Sequence, residues 1–431
     1  MKILLITAWY FPFTHPRPHR WTALAEYWAA QGHTVHVVTA RQRAAPHATR
    51  HKGVQIHRVG FDSLKELFYF FKGDGSARGR VGAPVRKPGR LERFFNFLYK
   101  KVWKNTCFPD DACLWYWPAK RKIMSLMETE QMDLVCSVSL PFTGQLLGRA
   151  VHRRYPKAFW LADIGDPFSF EGFPLNNRFL YGRLNRRLER LILEQANAVV
   201  VTTALAKTQY ARVFGSASVR HMHVIPPLLH PAPETPVQVP AISAIPLKIG
   251  YFGALYAPVR TPCAFLDLLE MTLEHLPDAN ALLEVHFYGE IFPEFYEVLQ
   301  RQPLVRLHGL QSRETVRAAM QEMDILLHIG NQTSFQLPSK AVEYAASGKP
   351  VLNLSYTEAD AFAAFWGGRE GLLTLKVKNG KVDAAGVRAW MDCLEGKWPQ
   401  QDLPVDPAWL KPFLLEQVAG AYMALFAAPR Q

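Results

Sequence analysis

The stretch Gln336-Leu-Pro-Ser-Lys-Ala-Val-Glu-Tyr-Ala-Ala-Ser-Gly-Lys-Pro350 places a serine, a lysine and a carboxylate at the start of a predicted short helix. The residues before it, Asp324-Ile-Leu-Leu-His-Ile-Gly330, form an apolar run that is typical of a buried strand. Pro338 suits a first helical position, and Ser347-Gly348 followed by a proline is typical of a helix end. The pattern therefore predicts a strand, a loop, a helix and a further strand, which is the repeating unit of an α/β fold.

The start of this helix predicts an anion site. Free N–H groups and the helix dipole attract negative charge there, and Ser339 and Lys340 would add a hydroxyl and a cation. Glu343 lies on the same helix face and leans back toward the N-terminus, so its carboxylate can approach a sugar hydroxyl beside a phosphate. The alternative is an ordinary helix start at which Lys340 and Glu343 are merely solvated.

The composition is that of a folded chain with real cores, since 49% of its 431 residues are hydrophobic and the length favours two or three domains. We expect a cytoplasmic protein, because no apolar run reaches the roughly 18 residues of a membrane span and Met1 to Ala8 resembles a strand rather than a signal peptide. Five scattered cysteines, without paired short spacings, favour a reducing compartment and show no zinc signature.

Basic residues are concentrated between positions 78 and 104, a segment that contains nine Lys or Arg and a single acidic residue, Glu92. The whole chain has a net charge of +13. A helix over 90–104 would gather apolar residues on one face, namely Leu91, Phe94, Phe95, Leu98 and Val102. Such a segment suits an anionic membrane surface. The alternative is a domain helix whose apolar face enters the core. Nucleic acid is not expected as a partner, because no binding motif accompanies the charge.

Strands and helices alternate along both halves of the chain and predict two Rossmann-like domains. We place the first domain at 1–227, a proline-rich linker at 228–246 and the second domain at 247–404, with a C-terminal helix over 405–431 that packs back on the first domain. The loop after the first strand has no glycine, so the dinucleotide fingerprint of nicotinamide enzymes is absent.

A second group of candidate residues follows the first strand of the second half. Gly253 would let the backbone approach a phosphate closely, and Arg260 could neutralise a leaving diphosphate, although a glycine in this place is usually only a turn. Backbone groups near Gly289 and Leu310 are candidates for selecting a nucleotide base.

Together these residues resemble the retaining GT-B glycosyltransferases of family 4. The resemblance rests on Gly32-His-Thr-Val35, on the strand ends at Gly289 and His308-Gly309, and above all on the motif from Leu337 to Pro350. It implies two parallel sheets facing across a cleft, a nucleotide sugar bound by the second domain, an acceptor bound by the first, and no metal or other cofactor.

The resemblance also implies a role for each matching residue. Arg260 and Lys340 would hold the diphosphate, Ser339 would add a hydrogen bond to it, and Glu343 would bind the ribose. The sequence departs from the family twice, because Phe335 stands where a first glutamate is common and an arginine, Arg260, stands where a lysine is common.

In the first half, Asp163 and Asp166 end a predicted strand, and the resemblance places a polar residue near the reacting sugar there. Asp166 is the catalytic candidate, with a turn cap before Pro167 as the alternative. Arg17 and Arg20 are candidates for contacting a phosphate or an acceptor, with a solvated role as the favoured alternative.

The resulting hypothesis is a glycosyltransferase on the inner face of the cytoplasmic membrane. It would transfer a sugar with retention to a lipid-linked or membrane-presented saccharide in surface polysaccharide or glycolipid biosynthesis, and residues 78–104 would contact the anionic membrane. The absence of an Asp-x-Asp pair argues against the metal-dependent GT-A type. Two alternatives remain open, a nucleotide-sugar epimerase of the same fold and a non-catalytic scaffold at the membrane surface.

Overall fold

The computed structural model describes residues 1–13, 16–41, 45–72, 89–170, 175–231, 246–257, 259–276, 283–395 and 406–427. Two compact units make up the chain. The first holds most of the residues up to His230 together with the end of the chain from Phe413, and the second runs from Pro231 to Pro412. Most of the predicted linker, and Arg78 to Lys87 of the basic segment, lie outside the described residues.

The first unit is built on an eight-stranded sheet with the order β3-β4-β2-β1-β5-β6-β7-β8. All neighbouring strands are parallel except the pair β3 and β4. The strands are β1 Lys2–Ile6, β2 Thr34–Thr39, β3 Ala48–His51, β4 Val54–Arg58, β5 Leu134–Ser139, β6 Phe159–Ile164, β7 Ala198–Val201 and β8 Met222–Val224.

Helices connect these strands, as parallel pairing requires. They are α1 Pro16–Ala30, α2 Leu64–Lys72, α3 Arg90–Leu98, α4 Lys104–Thr106, α5 Tyr116–Glu130, α6 Thr143–Arg154, α7 Arg178–Gln195 and α8 Ala204–Phe214. A π-helical turn, Tyr99–Trp103, separates α3 from α4, and short 3₁₀ turns occupy Asp111–Trp115 and Ser216–Val219.

The second unit repeats the design with a seven-stranded sheet of order β11-β10-β9-β12-β13-β14-β15, in which only the last pair is antiparallel. The strands are β9 Leu247–Phe252, β10 Leu283–Tyr288, β11 Val305–Gly309, β12 Ile325–Ile329, β13 Val351–Ser355, β14 Leu372–Lys378 and β15 Lys381–Val382. The helices are α9 Cys263–His275, α10 Pro293–Arg301, α11 Arg313–Glu322, α12 Lys340–Ser347, α13 Ala361–Trp366, α14 Ala384–Leu394 and α15 Pro407–Leu410, with a 3₁₀ turn at Lys411–Phe413.

The end of the chain returns to the first unit as α16, Leu415–Ala427. Its Tyr422 is fully buried and packs against two tryptophans of α1, with ring centroids 5.3 Å from Trp21 and 6.2 Å from Trp28. Residues 405–431 were predicted as one helix, whereas the described part contains two helices and a 3₁₀ turn. A proline at 412 ends the first of them because it cannot donate the backbone hydrogen bond that a continuing helix needs.

The basic segment also differs in detail from its prediction. The chain over 90–106 is helical, but the π turn shifts the register after Leu98. Phe95, which was predicted to lie on the exposed apolar face, is half-buried and stacks on Phe68 with ring centroids 3.9 Å apart. Phe97, which was not included in that face, is exposed. The predicted α/β class, with two mainly parallel sheets, is confirmed. In the described residues, no helix combines the length and the apolar character that crossing a membrane requires.

Candidate functional site

The turn that follows β9 brings two backbones into close approach. Gly253 donates its N–H to the carbonyl of Tyr288 at 2.9 Å, and a Cβ at Gly289 would lie only 2.1 Å from the carbonyl oxygen of Gly253. Gly289 also has a φ of +133°, a conformation that side chains disfavour. Only glycine therefore fits at position 289, and the two predicted glycines form one structure at the carboxyl ends of β9 and β10.

Arg260 lies against this turn. A Cβ placed on Gly253 would be 3.4 Å from one terminal nitrogen of the Arg260 guanidinium and 2.9 Å from the hydroxyl of Tyr251. The guanidinium donates two hydrogen bonds to Oδ1 of Asn331, at 2.7 and 3.2 Å. Burial opposes the positive charge, but neighbouring tyrosines, Tyr251 foremost, raise the pKa of Arg260, so the guanidinium is a fixed cation.

The start of α12 carries a network of three charged side chains. Glu343 forms ion pairs with Lys340, on the same helix, and with Arg313 of α11, whose nitrogen lies 3.2 Å from Oε1. Burial lowers the pKa of Lys340, although Glu343 opposes this effect. The two cations outnumber the carboxylate, so the network can accept a further anion.

The helix begins two residues later than the motif predicted, at Lys340 rather than at Pro338. Ser339 is the residue just before it, is exposed, and caps no backbone N–H with its hydroxyl. Its hydroxyl is thus not used by the helix. Glycine at 348 ends the helix in the left-handed conformation, as the sequence predicted.

Tyr344 attaches α12 to the Gly253 turn. Its hydroxyl accepts a hydrogen bond from the N–H of Phe252 and donates one to the carbonyl of Leu327, both at 3.1 Å. The helix therefore lies near the carboxyl ends of β9 and β12. Ligands of parallel α/β sheets usually bind at this end of the strands. Gly253, Arg260 and the residues of α12 are brought to one edge of the second unit.

Phe335 lies in the loop between β12 and α12 and is 3% exposed. Position 335, which the sequence comparison related to the first glutamate of the motif, therefore holds a buried aromatic ring. Glu343 is the carboxylate that this loop and helix offer.

The remaining predicted residue, Leu310, follows β11 and is exposed. It is joined to Gly289 through the backbone, because the N–H of Gly289 donates to the carbonyl of Gly309 at 2.8 Å. Close by, the ring of Tyr288 stacks on His308 with centroids 4.1 Å apart. Two backbones and an aromatic pair thus border the same edge of the sheet.

Asp166, the candidate of the first unit, follows β6 by two residues and is half-buried. Its turn is held by the buried Glu189, which accepts hydrogen bonds from the N–H groups of Phe168 and Ser169 and from the hydroxyl of Tyr210. Burial raises the pKa of Glu189, and the negative charges of Glu189 and Asp166 add to the burial that raises the pKa of Tyr210. Asp166 therefore lies on a turn whose following residues are held by hydrogen bonds to the buried Glu189.

Asp163 and the two arginines of α1 have structural roles. Asp163 is 3% exposed and accepts hydrogen bonds from Arg17 at 3.0 Å and from the hydroxyl of Tyr422 at 2.6 Å. Arg20 donates to Tyr422 and to the carbonyl of Pro226. The expectation that both arginines are solvated was wrong, because a buried acceptor lies within reach of each.

Comparison with known proteins relates the first half of the chain to a described family. A family model described as "Glycosyl transferase 4-like domain" matches residues 19–227. This match and the two-sheet fold together support a glycosyltransferase of the GT-B, family 4 type. A search by sequence found no similar protein among those with curated descriptions.

Solved structures share the fold of this chain at low sequence identity. Sucrose-phosphate synthase from Thermosynechococcus elongatus is 14% identical, with a TM-score of 0.64 over 99% of this chain and 100% of that one. Anabaena HepE in complex with UDP-glucose is 12% identical, with a TM-score of 0.57 and 99% of both chains covered. WaaG, a glycosyltransferase involved in lipopolysaccharide biosynthesis, is 14% identical, with a TM-score of 0.54 over 99% and 96%.

Two residues of the second-unit site were missed in the sequence. Asn331 follows β12 by two residues, so the rule that ligand-binding groups lie at strand ends could have found it. Arg313 stands 30 positions before Glu343, and no local pattern links the two.

Proposed function

We propose that this glycosyltransferase binds a nucleoside diphosphate sugar at the edge of the second unit and transfers the sugar with retention of anomeric configuration. The observation that carries the proposal is the set of cations beside the Gly253 turn and at the start of α12. Solved structures of similar fold contain UDP-glucose or UDP-2-fluoro glucose, which supports a nucleotide sugar as the donor.

The reaction leaves negative charge on the departing diphosphate, and preorganised cations and N–H groups stabilise it. Arg260 and Lys340 are suited to this task, and the hydroxyl of Ser339 supplies a further donor. When a diphosphate replaces Glu343 as the partner of Lys340, the carboxylate stays paired with Arg313 and accepts hydrogen bonds from the ribose. The proposed reaction needs no metal, because these side chains supply the positive charge.

The donor is tested by thermal unfolding in the presence of UDP-, GDP-, ADP- and dTDP-sugars. We expect one nucleotide to stabilise the protein by about 2.7 kcal/mol at 100 times its dissociation constant. Glu343→Ala should abolish this stabilisation, whereas Glu297→Ala, which removes a carboxylate of α10 whose side chain is 82% exposed, should preserve it. If none of these nucleotide sugars stabilises the protein against unfolding, the proposal is contradicted and a non-catalytic scaffold is favoured. Conversion of the donor sugar without any acceptor favours an epimerase.

We propose further that the acceptor is a lipid-linked or membrane-presented saccharide, as in surface polysaccharide or glycolipid biosynthesis, with Asp166 near the reacting sugar. The enzyme would then work at the inner face of the cytoplasmic membrane. Supporting this, the basic segment exposes its apolar face. Leu91, Phe94 and Phe97 of α3 are 62%, 60% and 57% exposed, beside the exposed cations Arg93, Lys100 and Lys101. A helix that packed this face into the domain core would bury these apolar side chains.

Replacing Leu91, Phe94 and Phe97 with serine is expected to weaken binding to anionic vesicles by on the order of 100-fold, because each side chain loses its transfer into the acyl boundary. Vesicle flotation measures the change. A matched variant with serine at Phe292, Tyr296 and Val298, which are exposed on or beside α10, should bind as the unchanged protein does. Equal flotation of both variants would show that α3 does not dock the enzyme.

A further inference from the structure

An open pocket of about 550 Å³ lies among α5, α6 and α7 of the first unit. Four basic side chains line it, Lys120 from α5 and Arg149, Arg153 and Arg154 from α6. None of the ten lining residues is acidic. The volume is within the range of pockets that hold small ligands, roughly 300–1,000 Å³.

The positive charge of this pocket is not neutralised from within the described chain. Arg149 donates its Nε–H to Gln195 at 2.8 Å, a neutral partner that fixes the guanidinium and leaves its charge intact. Burial and then the charge of Arg153 lower the pKa of Arg149, which means that the two cations repel each other. The Lys120 ammonium lies over two aromatic rings, 5.7 Å from the ring centre of Tyr116 and 5.2 Å from that of Trp117. No ion pair joins any of the four basic residues to a described carboxylate.

The remaining lining is apolar and includes Phe108, Leu146 and Leu188. A free inorganic anion would gain nothing from such a floor, whereas a ligand that joins an anion to hydrocarbon would use both parts. Arginine suits the anionic part because its fork of N–H donors matches the oxygens of a phosphate.

The helices that line the pocket also carry exposed apolar side chains. Phe179 at the start of α7 is 95% exposed and Trp117 on α5 is 70% exposed. The pocket is also joined to the basic segment, because the hydroxyl of Tyr181 donates to the carbonyl of Thr106, the last residue of α4, at 2.9 Å. The ring of Tyr181 lies 5.0 Å from that of Phe108 in the pocket lining. The pocket lining therefore contacts the end of the basic segment, of which α3 is the first helix.

We propose that this pocket binds the phosphodiester headgroup of a single anionic lipid, with the first carbons of its chains on the apolar floor. The proposal rests on the membrane docking proposed above and adds a defined lipid site to it. The exposed face of α3 would provide nonspecific insertion, and the pocket would select lipids that carry a negative phosphate.

Monomeric dihexanoyl phosphatidylglycerol tests the pocket without requiring a bilayer. Calorimetric titration of the full-length protein should show saturable binding, and Arg149→Gln combined with Arg153→Gln should weaken it about 30-fold, from the loss of two favourable charge contacts. The matched control, Arg186→Gln with Arg212→Gln, removes two exposed cations outside the pocket and should bind as the unchanged protein does. Dihexanoyl phosphatidylcholine, whose headgroup has no net charge, should bind at least 10-fold more weakly than the glycerol lipid.

Three results would overturn the proposal. These are equal lipid affinity in the pocket variant and its control, equal affinity for the neutral and the anionic lipid, and inorganic phosphate that binds as tightly as the lipid. The serine variant of α3 separates this test from the membrane proposal, because it should lose vesicle flotation yet retain binding of the monomeric lipid. Donor stabilisation by nucleotide sugars should stay unchanged in the pocket variant, so a failure there concerns the donor site alone.

Discussion

Replacing Arg260 with alanine is expected to lower kcat/KM for sugar transfer by about 100- to 1,000-fold, or roughly 3–4 kcal/mol of transition-state stabilisation. The guanidinium is fixed over the Gly253 turn by two hydrogen bonds to Asn331, so it needs no reorganisation when charge grows on the leaving diphosphate. The main loss should appear in kcat, because the diphosphate carries more negative charge in the transition state than in the bound donor.

Two variants serve as controls for this prediction. Arg260→Lys keeps the charge but loses the paired N–H donors, so it should recover only part of the activity. Arg306→Ala removes a cation from β11 of the same unit that is half exposed to solvent, and it should change kcat/KM little. Each variant is compared in steady-state kinetics with the identified donor and in thermal unfolding, which checks that the fold is kept. Activity of Arg260→Ala within 3-fold of the unchanged enzyme would remove Arg260 from the catalytic role.

The strands and the main anion site of the second unit could be predicted because both depend on local patterns. Segments of five or six residues that are rich in apolar side chains mark β9 to β13, and the proline and glycine around α12 mark its ends within two residues. Gly253 and Gly289 are also local signals, since each follows a strand directly. The structure adds that they meet, with the carbonyl of Gly253 under Gly289. The roles of these residues in binding stay predictions.

What the sequence could not supply is the partner of each polar group. Arg17 and Asp163 are 146 positions apart, and their ion pair depends on how α1 packs over β6. An isolated arginine beside a proline-rich loop therefore looked solvated. Phe95 was assigned to the exposed apolar face of the basic segment for a similar reason, since its ring packs on Phe68 of α2, which lies 27 positions earlier in the chain.

Asp163→Ala is expected to lower the free energy of unfolding of the first unit by about 3–5 kcal/mol, the usual cost of removing one partner of a buried ion pair. The substitution leaves the Arg17 guanidinium, whose side chain is 20% exposed, without its anion and the hydroxyl of the buried Tyr422 without its acceptor. Because Tyr422 belongs to α16, the attachment of the C-terminal helix should weaken as well. Denaturant unfolding followed by tryptophan fluorescence measures the change, since Trp21 and Trp28 pack on Tyr422.

Companion variants separate the ion pair from the rest of the network. Tyr422→Phe removes a single hydrogen bond to Asp163 and should cost about 1–2 kcal/mol. Combining Arg17→Met with Asp163→Ala should recover part of the loss, because no unpaired cation is then left beside the chain at Gly165, where a Cβ would meet the guanidinium at 1.1 Å. Should Asp163→Ala cost less than 1 kcal/mol, Arg17 reaches solvent freely and does not hold the turn that carries Asp166. A large cost that the double variant reduces would instead show that the loss comes from the unpaired charge of Arg17, as expected for a buried ion pair.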